Sequence, residues 1–287
     1  GCQRDGEFTL IEITWQYDPD AGVVERVPEP AEEAMLMLHM GNTAFADMGR
    51  ARGDHRYVIP ITAEELGLGD RPGEAPAQEP MAVVLGCADA RVPLELVFSQ
   101  SANDLFAVRV AGNILGSDCV GSMDYAVTHL PSVRLLAVVG HTGCGAVQAA
   151  VDAYIAPNTY LGLSANLPLR RIVDTVIPAV HGADVGLRNH YGPDVVFRTG
   201  YRRALVDAAV VVNAAIAADA MQRIFTEHIG ERLGAAFGVY DLSSRLVGLP
   251  DLQMDWRHGL FPPPPEEQMP EFVDAVVRSM YIRELLG

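Results

Sequence analysis

The spacing of apolar residues along the chain changes several times, and each change marks a predicted element. In residues 8–17 (FTLIEITWQY), Ile11, Ile13, Trp15 and Tyr17 alternate with Glu12, Thr14 and Gln16, the pattern of a strand. Pro28 and Pro30 lead into a helix-like stretch, Ala31–Met48, and residues 67–80 (GLGDRPGEAPAQEP) read as a loop. Short apolar runs at Met81–Leu85, Leu105–Val110 and Leu135–Val139 predict three strands, the last apolar throughout, as in a parallel sheet covered on both faces. Between them Asp118–Leu130 reads as a helix with Val120, Met123, Ala126, Val127 and Leu130 on one face, and Gly145–Ile155 reads as another. Strands alternating with helices predict an α/β fold.

Residues 156–202 read as loop-rich around one helix, Leu169–Val180. Ala204–Ile229 is a long predicted helix, Ala235–Leu242 a strand, and Arg245–Leu249 its hairpin partner. Pro262 to Pro265 resist both helix and sheet. After them Met269, Phe272, Val273, Val276, Val277, Met280 and Tyr281 recur at helical spacing. That stripe reads as docking on the chain's own body, with a subunit-swapping arm as the alternative. There is no internal repeat. The division expected is an N-terminal extension and helical arm at 1–77, an α/β domain at 78–250, and a Pro-rich linker with an amphipathic helix at 251–287.

Composition narrows the class. The 287 residues are 49% hydrophobic with a mean hydropathy of +0.14, enough for a real core. No run of about 18 apolar residues is free of a charge or a turn signal, so no membrane span is expected. With 37 acidic against 21 basic residues the formal charge is −16, which repels nucleic acid and anionic lipid. Every basic side chain other than histidine is arginine, so lysine chemistry is excluded. Cys2, Cys87, Cys119 and Cys144 do not make a disulfide scaffold in a chain of this length; they read as reduced thiols, and a cytoplasmic setting is expected.

Candidate chemistry centres on residues 138–147, VVGHTGCGAV, where an apolar run ends and a helix begins. Gly140 and Gly145 have P-loop spacing, but Ala146 and Val147 stand where lysine and a hydroxyl residue belong, so nucleotide phosphate fits poorly. His141 and Cys144 are instead soft metal ligands. The preceding strand ends in Gly86-Cys87-Ala88-Asp89-Ala90-Arg91. Sites in parallel sheets form beyond the carboxyl ends of the strands, so two adjacent strands there would bring Cys87, His141 and Cys144 together. Two thiolates and an imidazole suit zinc, which takes four tetrahedral ligands. Taken singly, Cys87 reads as a core residue, His141 as a hydrogen-bonded strand-end histidine, and Asp89 with Arg91 as a surface ion pair; it is their joint placement that points to a metal. The fourth position is open to water or filled by a carboxylate. Asp89 is the obvious one, with Arg91 placed to hold it bidentately. Asp89 would then sit either on Arg91 with the zinc open, or on the zinc with the site closed. Cys119 reads as a buried helix thiol.

Cys87-x-Asp89-x-Arg91 followed by His141-x-x-Cys144 resembles the signature of the β-class carbonic anhydrases. The similarity extends to Asp104–Asn113 (DLFAVRVAGN), Gly121–Val127 (GSMDYAV), His141–Val147 (HTGCGAV) and Gly238–Leu242 (GVYDL), covering residues 78–155 well and 204–249 loosely. The resemblance implies a mostly parallel central β-sheet flanked by helices, an N-terminal helical arm over a partner subunit, and a homodimer or larger homo-oligomer. It implies zinc held by Cys87, His141 and Cys144, with Asp89 and Arg91 as the catalytic dyad. Gln78 would hydrogen-bond substrate, Phe106 and Tyr125 would form apolar pocket walls, and Ala111 and Gly143 would complete the lining. Ala111 is smaller than the valine sometimes found there. The stretch Arg109–Asn113 resembles forms in which the site stays open.

The activity so implied is reversible hydration of carbon dioxide to bicarbonate and a proton by zinc-bound hydroxide. Two alternatives share the residues: hydrolysis of carbonyl sulfide or carbon disulfide, and a catalytically silent, zinc-stabilised structural or regulatory protein. The segment 156–202 is longer than the family pattern, and residues 1–30 and the tail after Pro250 match nothing in it.

Overall fold

The computed structural model describes residues 11–17, 28–48, 55–61, 77–162, 165–230, 232–253 and 255–287. Strand β1 (Ile11–Tyr17) is where alternation predicts it. It pairs in parallel with β2 (His55–Ile61), which the pattern did not announce, in a separate two-stranded sheet. Helix α1 (Ala31–Met48) has the predicted limits and buries Ala34, Leu38, Asn42 and Ala46 along one face. Of the predicted loop at 67–80, residues 67–76 lie outside the described residues; 77–80 are irregular.

The main sheet starts at β3 (Ala82–Gly86), followed by the short helix α2 (Leu94–Val97), β4 (Leu105–Arg109), α3 (Ser117–His129) and β5 (Leu135–His141). Then come α4 (Gly145–Ile155), α5 (Pro157–Gly162), α6 (Leu167–Tyr191) and α7 (Tyr201–Ile224). The sheet is completed by β6 (Gly234–Tyr240), β7 (Val247–Pro250) and β8 (Trp256–His258), and the chain ends in α8 (Met269–Arg278) and α9 (Met280–Leu286). The strand order is β4-β3-β5-β6-β7-β8. The first four strands in that order are mutually parallel, and β7 and β8 add antiparallel, so the sheet is mixed with a parallel core.

All seven residues of β5 are buried. Leu136 and Val138 face one core, shared with α3, α4, α6 and α7, while Leu135, Ala137 and Val139 face a second core beneath α1. This two-sided cover is why β5 is a continuous apolar run and not an alternating one. Only Met123, Ala126 and Leu130 of the face predicted for α3 are fully buried; Val120 and Val127 pack at the margin.

Helix α7 has apolar residues all round rather than a stripe, because the sheet lies on one side of it and α6, α8 and α9 on others. By length and composition it could cross a membrane, but 89% of its most apolar window is buried inside this fold, as befits a core helix. Residues 156–202 differ most from expectation: they are largely helical, with α6 spanning 25 residues. Pro178, Gly182 and Gly186 look like breakers in the sequence. Gly186 has a packing role, since a Cβ there would lie 2.9 Å from Val273 Cγ1 of α8. The C-terminal stripe docks on the chain's own body, burying Val273, Val276 and Val277 of α8 and Ile282 and Leu286 of α9.

Asp184 of α6 ties three helices together. It is buried, and it accepts hydrogen bonds from Tyr201 of α7, from Tyr154 of α4 at 2.9 Å and from Arg188 Nε at 2.8 Å. Burial alone would raise its pKa, but those donors outweigh burial and hold the carboxyl below its ordinary value. Asp184→Ala would leave two tyrosine hydroxyls and a guanidinium without their acceptor. It should cost about 3 kcal/mol of unfolding free energy, read as a lowered urea midpoint at unchanged slope.

Candidate metal centre

The parallel register places the ends of β3, β4 and β5 side by side: Gly86 pairs with Arg109 on one flank and with Val139 on the other. Cys87 follows β3 directly, and His141 closes β5, two residues beyond the Val139 pairing. Cys144 then precedes α4. The turn between His141 and Cys144 passes through Gly143 at φ +68°, the left-handed region that favours glycine.

Sγ of Cys87, a ring nitrogen of His141 and Sγ of Cys144 lie within 4.8 Å of one another, and all three residues are buried. The two sulfurs are 3.9 Å apart. Tetrahedral zinc with Zn–S bonds of about 2.3 Å requires a sulfur–sulfur separation of about 3.8 Å, so the cage has the right size. The histidine is set for the same purpose. Its Nδ1 lies 3.0 Å from the Thr142 carbonyl oxygen, which can only accept, so Nδ1 carries the proton and the Nε2 lone pair is free. Nε2 is buried and has no hydrogen-bond partner, a costly arrangement for a polar atom unless it is a ligand.

The thiols are electrostatically coupled. Cys144 donates to Cys87 and holds its thiol well below the ordinary range, helped by the Gly112 N–H at 3.4 Å from the sulfur. The same bond, with burial, pushes Cys144 upward. A divalent cation would relieve that competition by favouring both thiolates.

Asp89 lies against the cage with Oδ2 3.8 Å from His141 Nε2. Arg91 grips it bidentately, Nε to Oδ1 at 2.9 Å and Nη2 to Oδ2 at 2.7 Å, and the Arg91 backbone N–H adds a third bond at 2.9 Å. This clamp holds the Asp89 carboxyl well below the usual carboxylate range. Of the two arrangements open from sequence, the structure shows Asp89 on Arg91. Arg91 Nη2 also reaches the Gly143 carbonyl at 3.3 Å.

Two supports carried no role in the sequence reading. Arg109, ending β4, donates from Nε to the Cys87 carbonyl at 3.0 Å and from Nη2 to the Asp89 carbonyl at 2.6 Å. It therefore staples the backbone between ligand and carboxylate; the signal available was a single arginine ending an apolar strand. Thr142 Oγ1 donates to Asp241 Oδ1 at 3.1 Å and accepts from the Leu242 N–H at 3.0 Å, so the β6–β7 turn braces the ligand turn across about a hundred residues of chain.

The structure thus assembles Cys87, Asp89, Arg91, His141, Gly143 and Cys144. Ala111 adjoins them through Gly112. It does not bring the other expected lining residues to the chain's own cluster. Gln78 is exposed and precedes β3, at the opposite end of that strand from Cys87. Phe106 pairs with Val83, three residues and so about 10 Å short of the strand end. Tyr125 of α3 is 49% exposed and stacks on His129. Cys119 is a free thiol on α3, outside the cluster, and partly exposed, not buried as expected.

Comparison with known proteins bears out the family resemblance. The carbonic anhydrase family model matches residues 82–190. Carbonic anhydrase 2 of Mycobacterium tuberculosis is 43% identical over 113 residues, 38% of this chain and 50% of that protein. The carbonic anhydrase of Mycolicibacterium smegmatis is 40% identical over 130 residues, 45% of this chain and 60% of that protein. The chain therefore spans about half the length of the curated relatives it matches. Among solved structures, a β-carbonic anhydrase of Aspergillus fumigatus aligns at TM-score 0.48 and 22% identity, over 69% of this chain and 82% of that one.

If the cage holds zinc, His141→Ala should lose most of the zinc that purified wild type carries, because three ligands fall to two. Cys119→Ser should keep its zinc. Elemental analysis of both variants is the check.

Proposed function

We propose that this chain is a zinc-dependent carbonic anhydrase that interconverts carbon dioxide and bicarbonate. The observation that carries the reading is an ionised carboxylate, fixed by an arginine, set beside a buried Cys87–His141–Cys144 cage. A purely structural zinc site has no use for that pair.

Bound in the cage, zinc would act as a Lewis acid that makes water nucleophilic near neutral pH. The remaining work falls to the chain's own groups. Arg91 occupies Asp89 Oδ1 with two donors and Oδ2 with one, leaving Oδ2, the oxygen that faces His141, able to accept another hydrogen bond. Asp89 would use it to orient the attacking oxygen and keep a lone pair aimed at carbon dioxide. Because Arg91 keeps Asp89 ionised, the carboxylate remains an acceptor through the neutral range. Arg109 limits drift of the Cys87–Asp89 backbone, a contribution to orientation rather than to chemistry.

A homo-oligomer is part of the proposal. Leu36 and Met40 on the outer face of α1 are 54% and 63% exposed, an apolar surface that a second copy would cover. Gln78 and Tyr125, exposed in a single chain, would also gain a surface to meet there. The free thiols among the described residues support a reducing, cytoplasmic compartment, and the charge of −16 disfavours nucleic acid.

Stopped-flow hydration of carbon dioxide, with zinc measured on the same sample, tests the reading. Wild type should turn over carbon dioxide well above any hydrolysis of carbonyl sulfide or carbon disulfide. Asp89→Asn should lose about a hundredfold in kcat while retaining zinc. Zinc-loaded wild type without carbon dioxide hydration would refute the proposal, and unimpaired Asp89→Asn would refute the role given to Asp89.

A further inference from the structure

The ligand turn is held from a second side by residues outside the matched family segment. A cavity of ≈ 450 Å³ lies next to it, and its lining includes Thr142, Gly143, Asp207, Asp241 and Tyr281 but not Cys87, Asp89 or Arg91. Asp207 projects from the first turns of α7 and is only 7% exposed. Its Oδ2 accepts the Tyr281 hydroxyl at 2.9 Å, and Tyr281 belongs to α9, in the tail that matches nothing in the family pattern. Gly143 lines the same cavity; burial pushes the Asp207 carboxyl upward, while the Tyr281 hydroxyl and the Gly143 backbone N–H favour its ionised form.

Gly143 sits between the two ligands of the turn. Its carbonyl accepts from Arg91 Nη2 at 3.3 Å and from Gln148 Nε2 at 3.2 Å. The peptide before Gly143 thus faces Asp207, and the peptide after it is held by the arginine that clamps Asp89. At φ +68° the residue has no side chain to fix its own orientation, so these outside partners do so. Tyr281 bonds Asp207, Asp207 and Gly143 line one cavity, and Gly143 bonds Arg91, which clamps Asp89.

We propose that Asp207 and Tyr281 are positioning residues for the metal centre: Tyr281 fixes the Asp207 carboxylate against Gly143, and this sets the angle at which His141 and Cys144 present their ligand atoms. The C-terminal extension is then part of the site's support and not an appendage. The inference rests on the metal-centre reading above. Burial, together with the Asp207 carboxylate, pushes the Tyr281 phenol upward, so it is a donor at neutral pH.

Cobalt-substituted full-length protein separates this from a general effect of tail docking. Tyr281→Phe and Asp207→Ala should shift the cobalt visible absorption bands and speed chelator-driven cobalt loss about tenfold, with the circular dichroism spectrum retained. Asp207→Asn should recover part of the Asp207→Ala loss. Tyr191→Phe, which removes the bond from α6 to the Val277 carbonyl and so loosens the same tail elsewhere, should leave bands and loss rate at wild-type values. Wild-type bands and loss rate in Tyr281→Phe would overturn the proposal, and so would Tyr191→Phe matching it. Should Asp207→Ala not fold, Tyr281→Phe decides alone. Wild type that binds cobalt, and when zinc-loaded does not hydrate carbon dioxide, would refute the proposed function and leave this test intact; wild type that binds no cobalt would overturn both.

Discussion

The alignment of β3 with β5 is the constraint on which the rest of this molecule depends. Parallel pairing puts Gly86 opposite Val139, and a register slip by one residue would turn every side chain of one strand to the other face. Both strands are buried on both faces, so a slip would mismatch two cores at once. The register that packs the sheet is therefore also the one that brings Cys87 beside His141 and Cys144. The geometry of the candidate cage and the stability of the core come from the same set of contacts.

Around that alignment the site is layered. The cage is closed by burial and by a histidine tautomer fixed through the Thr142 carbonyl. The carboxylate beside it is kept ionised by one arginine, and its backbone is kept in place by another. Each of these is a hydrogen bond to a charged group or to a backbone carbonyl at a strand end, where the chain leaves regular structure and its polar groups need other partners. The sheet supplies the open strand ends; the arginines use them.

Much of this was legible in the sequence because it is local. The limits of α1 and α4 follow from apolar spacing punctuated by proline and glycine, and the fully apolar β5 identifies a covered parallel strand. Soft ligands at two strand ends are also a local signal, which is why Cys87, His141 and Cys144 were found. What was missed is long-range or disguised. The helix predicted at Leu169–Val180 stops short of Gly182 and Gly186, whereas α6 runs on to Tyr191 and Gly186 admits Val273 of α8. Strand β8 has only three residues, and β2 carries His55, Arg56 and Pro60, so neither shows a clear pattern. Arg109 acts on the Cys87 and Asp89 carbonyls, about twenty residues away, and nothing near it announces it. Gln78, Phe106 and Tyr125 came from resemblance alone, and a single copy of the chain does not gather them at its cluster.

The bracing of Thr142 by Asp241 has a consequence for biosynthesis. During translation all three ligands have left the ribosome once Cys144 has emerged, yet the carboxylate that steadies their turn follows almost a hundred residues later, after α7 and β6. Synthesis at about 5–20 residues per second separates the two events by seconds. In that interval the nascent polypeptide holds exposed thiols without the geometry to select among metals. A metal held by this cage would therefore meet its full geometry only in the finished fold.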